Sequence, residues 1–212
     1  MAGHQFNDIM SPPPPPPSGS GWGDDGPTGG PGASRRASLI GLYLLLVSSS
    51  MVFLSLIVAF LARRGIAHDW ISTRKPQILL WNTGVLLISS FLLERARRLI
   101  RAGDRVGFNW WWTAGTIAGM AFLLGQGLAW RQLNEAGSYI ASNPSTSFFY
   151  ILTATHAAHL LGAIAALVYV DVEALRFSLG PGKRTAIDVS SIFWHFLDVM
   201  WVALMIVLYT WG

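Results

Sequence analysis

The sequence predicts an all-α, polytopic membrane protein: a bundle of five transmembrane helices behind a disordered N-terminal tail. Three observations predict it. Its 212 residues are 52% hydrophobic and only 12% charged, whereas soluble domains carry about 25% charged residues. Five long apolar stretches recur along the chain, separated by short polar connections. None of them alternates with the period of two that a barrel strand requires, and a backbone in lipid must satisfy its own hydrogen bonds, so helices are the spanning structure.

Residues 1–36 form the predicted tail, holding the run Pro12 to Pro17 and a Gly-rich stretch through Gly32. With few apolar side chains to bury, it is expected to be disordered and stiffest at the polyproline run. No basic segment followed by a short apolar core opens the chain, so a secretory signal is not expected. The membrane domain is assigned to residues 37–212.

Its spans are placed at about 39–61, 78–101, 113–130, 148–170 and 189–211, where about 20 apolar residues cross the hydrocarbon. The second is the shortest in purely apolar terms, Ile78 to Leu93. It ends in Glu94-Arg95-Ala96-Arg97-Arg98, whose long side chains can reach the headgroups and carry the helix to about Arg101. An N-terminus inside places Arg35, Arg36, Arg95, Arg97, Arg98, Arg101, Arg105, Arg176, Lys183 and Arg184 on the cytoplasmic side. Arg63, Arg64, Arg74, Lys75 and Arg131 then lie outside. The excess inside favours a cytoplasmic N-terminus and an external C-terminus. Basic residues distributed this way are membrane anchors, and a nucleic-acid partner is not expected. Trp70, Trp81, Trp110, Trp111, Trp112, Trp130 and Trp211 fall near span ends, where an indole buries its ring and hydrates its N–H.

The absence of cysteine excludes thiolate metal sites, iron–sulfur clusters and covalent haem attachment through Cys-x-x-Cys-His. In the fourth span, His156 and His159 stand three residues apart, on nearly one helical face. Such a pair can ligate a metal or haem or pass protons, but a closed metal site needs more donors. Contacts with neighbouring helices or lipid headgroups are the reading we favour. His195 and Asp198 repeat this spacing in the fifth span, where a proton relay competes with an interhelical anchor, the second being favoured. Gly115 and Gly119 form a small-x-x-x-small step that allows close helix approach. Arg101-Ala102-Gly103-Asp104-Arg105 is a basic loop suited to anionic lipid. No serine is marked as a nucleophile.

The run Phe148-Phe149-Tyr150-Ile151-Leu152-Thr153 with His156-x-x-His159-x-x-Gly162, and Trp194-His195-Phe196-Leu197-Asp198-Val199-Met200-Trp201, together resemble the two signatures of subunit III of the haem–copper terminal oxidases. Asn82-Thr83, Ser89-Ser90, Gly103-Asp104-Arg105 and Asn143-Pro144 agree more weakly, and Asp188 falls where that family often carries glutamate. The resemblance covers nearly all of the chain after the tail. Two family acids are replaced, by Ser49 and by Ala129. The longest relatives have seven spans, their extra pair N-terminal, forming one arm of a lipid-filled cleft.

The resemblance implies a non-catalytic component of a proton-translocating oxidoreductase complex in a bacterial plasma membrane. Haem and copper would reside in partner subunits, with none bound by this chain, and phospholipid would be its ligand. Its partners would be oxidase subunits I and II and membrane phospholipids, and it would lack the N-terminal arm unless another polypeptide replaces it. His156, His159, His195, Asp198, Asp188, Ser49 and Arg105 would serve as lipid or interhelical polar contacts. Two other readings stay open: a subunit-III-like companion of a nitric oxide reductase, and an independent metal- or haem-binding membrane protein using His156 and His159. Five histidines, with His4 in the tail and His68 in a loop, are too few intramembrane ligands for two haems and a copper.

Overall fold

The computed structural model describes residues 31–66, 77–137, 144–176 and 183–211. The polyproline run, His68, Trp70, Arg74, Lys75 and Asn143 lie outside these residues. The described chain is five helices: α1 (Pro31–Ile66), α2 (Ile78–Arg101), α3 (Arg105–Glu135), α4 (Pro144–Leu175) and α5 (Lys183–Trp211). Each apolar span sits inside its predicted helix, and α2 runs to Arg101 as its arginine-rich end suggested. α1 begins earlier than expected, within the segment assigned to the tail.

Four of the five helices are long and apolar enough to cross a membrane. The exception is α3, which has ample length, 31 residues, but is diluted by Gly115, Gly119, Gly125, Gly127 and Gln126. Its position is fixed by α2, against which it packs antiparallel. Asn82 Nδ2 donates to the Phe122 carbonyl at 2.9 Å and Ser89 Oγ to the Gly115 carbonyl at 2.8 Å. These bonds hold α3 at the depth of an apolar neighbour.

The helices share one packing rule. The buried positions of α2 are Leu79, Asn82, Leu86, Ser89, Leu93 and Ala96, and those of α3 include Phe108, Trp112, Gly115, Gly119, Phe122, Gln126, Ala129 and Leu133. Both series step alternately by three and four residues, the heptad spacing of interlocking antiparallel helices. Thr146, Phe149, Thr153, His156, Leu160, Ala163, Leu167 and Val170 continue it on α4, and Ile187, Ser191, Trp194, Asp198, Trp201, Met205 and Leu208 on α5. α1 is the least covered helix, contributing Leu42, Ser49, Phe53 and Phe60 to the interior while Tyr43, Leu44, Met51 and Leu54 face outward.

Helix α5 lies beside α1, α2 and α4, and α3 fills the space between α2 and α4, meeting α5 through Gly119 against Trp194 and Phe122 against Trp201. The tightest connection is the three-residue turn between α2 and α3. Gly103 adopts φ 88°, a left-handed conformation that glycine enters without penalty, and lets the Asp104 N–H bond the Leu99 carbonyl at 3.0 Å. The Asp104 carboxylate then caps α3 by accepting from the Gly107 N–H at 2.8 Å. The sequence Gly103-Asp104 is thus first a helix stop and a helix start.

Small residues sit where backbones approach. A methyl group at Gly115 would stand 2.8 Å from the Leu93 side chain, and one at Gly119 would meet the Trp194 ring. The tryptophans divide into two kinds. Trp81, Trp110 and Trp211 are exposed, as expected of interface anchors. Trp112 is not: it is wholly buried and donates to the Leu167 carbonyl at 3.1 Å. An indole beside a span end satisfies its N–H equally well with a neighbouring backbone carbonyl as with water.

Candidate functional site

Helix α2 carries polar side chains at Thr83, Ser90 and Arg97, seven residues apart and so stacked along one face. Each meets a residue of α5. Trp201 Nε1 donates to Thr83 Oγ1 at 3.0 Å, Ser90 Oγ stands 2.8 Å from His195 Nδ1 and donates to Asp198 Oδ2, and Arg97 Nε donates to Asp188 Oδ1 at 2.9 Å. The two helices are therefore laced at three levels by antiparallel polar contacts. Ser90 is the shared partner of His195 and Asp198.

This brings His195 and Asp198 together as the sequence suggested, but through Ser90 from a different helix: the direct separation of His195 Nδ1 and Asp198 Oδ2 is 3.8 Å. Glu94, one turn along α2, brings Oε2 to 4.0 Å from His195 Nε2 while also pairing with Arg97 and Arg98. Asp188 accepts from Arg101 as well, at 3.1 Å. It is thus an ion-pair anchor between the charged ends of α2 and α5.

The histidine pair of α4 is held in two different ways. His156 is buried, with its ring 4.8 Å from that of Trp201, 6.1 Å from Phe53 and 6.4 Å from Phe122. No nitrogen of it has a hydrogen-bond partner among the described residues. His159 turns back on its own helix, with Nδ1 2.8 Å from the Thr155 carbonyl oxygen, and packs on Phe53 at 5.2 Å. Among the described residues no three His, Asp or Glu side chains converge as a metal-ligand set. Beside His159, between α1, α4 and α5, lies an apolar groove of about 380 Å³, lined by Gly41, Leu42, Leu45, Gly162 and Phe193 among others.

Ser49 is buried on the inner face of α1, and Ala129 is equally buried on α3. Arg105 opens α3 and lines a small cavity with Gly103, Arg184 and Ile187. Sequence reasoning did not find the partners that matter: Ser90 and Glu94 for His195, Arg97 and Arg101 for Asp188, and, between α3 and α4, Thr113, which donates to Asp171 at 2.6 Å. The one signal available was the seven-residue spacing of Thr83, Ser90 and Arg97.

Comparison with known proteins adds an independent line. Residues 32–212 match the family model described as "Cytochrome c oxidase subunit III". Over 174 residues the chain is 30% identical to a probable cytochrome c oxidase subunit 3 of Mycobacterium bovis, covering 80% of this chain and 86% of the relative. It is 32% identical over 180 residues to the cytochrome c oxidase subunit 3 of a Synechocystis species, covering 81% and 74% respectively. A third relative, from Thermostichus vulcanus, is 30% identical over 182 residues and covered to 86%.

Proposed function

The chain belongs to the cytochrome c oxidase subunit III family, and from that premise we propose that it is the accessory, non-catalytic subunit of a respiratory haem–copper oxidase. It packs beside the subunit that holds the haems and copper, binds structural lipid and preserves that subunit through turnover. The observation that carries this reading is the use made of the polar residues in the two family signatures. His195 and Asp198 are engaged with Ser90 of α2, His159 with its own backbone, and His156 is walled in by Phe53, Phe122 and Trp201. His195 and Asp198, bonded across to α2, lock two helices together, while His156 and His159 contribute through aromatic packing. On this reading the chain's own polar residues hold a scaffold.

Lipid binding is supported by the groove between α1, α4 and α5, whose mainly apolar walls, with His159 and Ser190 as the polar members, suit an acyl chain. Orientation is supported by the gathering of Arg35, Arg97, Arg101 and Arg184 at one end of the bundle, which the positive-inside bias assigns to the cytoplasm of a bacterial plasma membrane. Oxygen or proton access to the catalytic subunit would depend on this chain only through the shape it imposes.

Deletion of the chain tests the proposal. Oxidase purified from the deletion strain is expected to assemble less completely or to inactivate faster during turnover. Unchanged assembly, activity and inactivation rate would overturn the role. Mild-detergent purification of the tagged chain, with mass identification of every band, also separates an oxidase partner from a nitric oxide reductase partner.

A further inference from the structure

At the charged end of the bundle, α1, α2 and α5 enclose a cavity of about 330 Å³ lined by Arg35, Arg97, Arg101, Arg184, Thr185 and Asp188. We propose that this cavity is a binding site for a phosphate-bearing anion, either a phospholipid headgroup or a soluble phosphate. The inference deepens the lipid-binding part of the proposed function by naming a headgroup site on this chain.

Charge is the first support. Four guanidinium groups line the cavity with one carboxylate, Asp188, which is already shared between Arg97 and Arg101, and Glu94 outside the cavity meets only Arg97 of the four. Arg35 and Arg184 make no ion pair with an acidic side chain among the described residues. Like charges gathered from three helices repel one another in a partly enclosed space, and an anion with several acceptor oxygens relieves that repulsion. Arginine suits the task because its planar fork meets two phosphate oxygens at once.

Position is the second support. α5 begins at Lys183 and has no acidic residue in its first turn, so the partial positive charge of its N-terminus adds to that of the arginines. Thr185 lines the cavity in that first turn. Arg105, across a small adjoining cavity, shares Arg184 with it and extends the basic surface around the α2–α3 turn. The volume is of the size of a phosphodiester with its glycerol or a small phosphate ester, and it opens where helix ends leave the hydrocarbon.

The test uses the full chain in the complex that it purifies with. Wild type, Arg35→Gln/Arg184→Gln, Arg35→Lys/Arg184→Lys and the control Arg98→Gln are each exchanged into lipid-free detergent. Retained phospholipid is counted by phosphorus assay and mass spectrometry. Melting is followed with and without inorganic phosphate. A phospholipid retained by wild type, control and the Lys variant but lost from the Gln variant supports a headgroup in the cavity. Equal phospholipid with a phosphate-dependent rise in Tm, absent only from the Gln variant, supports a soluble phosphate. If neither readout separates the Gln variant from the control, the site is overturned. Should the chain purify without an oxidase, the oxidase reading fails, while the same counts on the isolated full chain still decide the cavity.

Discussion

Ser90 of α2 stands 2.8 Å from Nδ1 of His195 of α5, and its hydroxyl proton is directed to Asp198 one turn further along the same helix. A single serine therefore joins the two polar residues of the C-terminal signature to a second helix. Losing it leaves the buried Asp198 carboxylate, whose other oxygen has no hydrogen-bond partner among the described residues, short of its bond to α2.

Ser90→Ala is expected to lower stability by about 0.5–2 kcal/mol, since interhelical hydrogen bonds in membranes are modest individually but leave unsatisfied groups when broken. A double-mutant cycle of Ser90→Ala with Asp198→Ala, read by thermal melting in detergent, should give a positive coupling energy. Additive effects would show that the two residues do not interact.

Asp188→Asn removes the carboxylate shared by Arg97 and Arg101. The pair is partly exposed at the membrane surface, so its loss is expected to cost about 0.2–1 kcal/mol, shrinking as salt rises. Melting of wild type and variant at low and high ionic strength checks this. A cost independent of salt would assign Asp188 a role other than charge pairing.

Gly119→Ala places a methyl group against the Trp194 ring, whereas Gly127→Ala meets nothing within 4 Å. The first is expected to destabilise by about 1–3 kcal/mol through overpacking. The second should be neutral or slightly stabilising, because alanine is the better helix former. Similar melting of both variants would contradict the α3–α5 contact.

His156→Phe keeps an aromatic ring against Phe53 and Trp201 and removes two buried nitrogens that have no partner among the described residues. The variant is expected to assemble and to support oxidase turnover at the wild-type rate, since apolar replacement of an unpaired polar group of similar shape is nearly neutral. A well-assembled complex with lost turnover would give His156 a chemical role that packing does not explain.

The legibility of this fold varied with the physics behind each feature. Glu94 to Arg98 marked the charged end of α2 because long cationic side chains define where hydrocarbon stops. Trp112 was misplaced for a related reason: an indole near a span end looks the same in sequence whether its N–H meets water or, as here, the Leu167 carbonyl. The i,i+3 spacing put His195 and Asp198 on one face correctly. It was silent on Ser90, which is 105 residues away from His195 in the chain.

By itself the sequence determined the solvent, the five helices and the family, because lipid admits few spanning structures and two signature patches occur in order. Only the tertiary structure decided which polar groups meet. Hydrogen-bond partners on separate helices are chosen by the rotation and register of those helices about one another, and the seven-residue ladder of Thr83, Ser90 and Arg97 acquires meaning only when α5 lies antiparallel beside it.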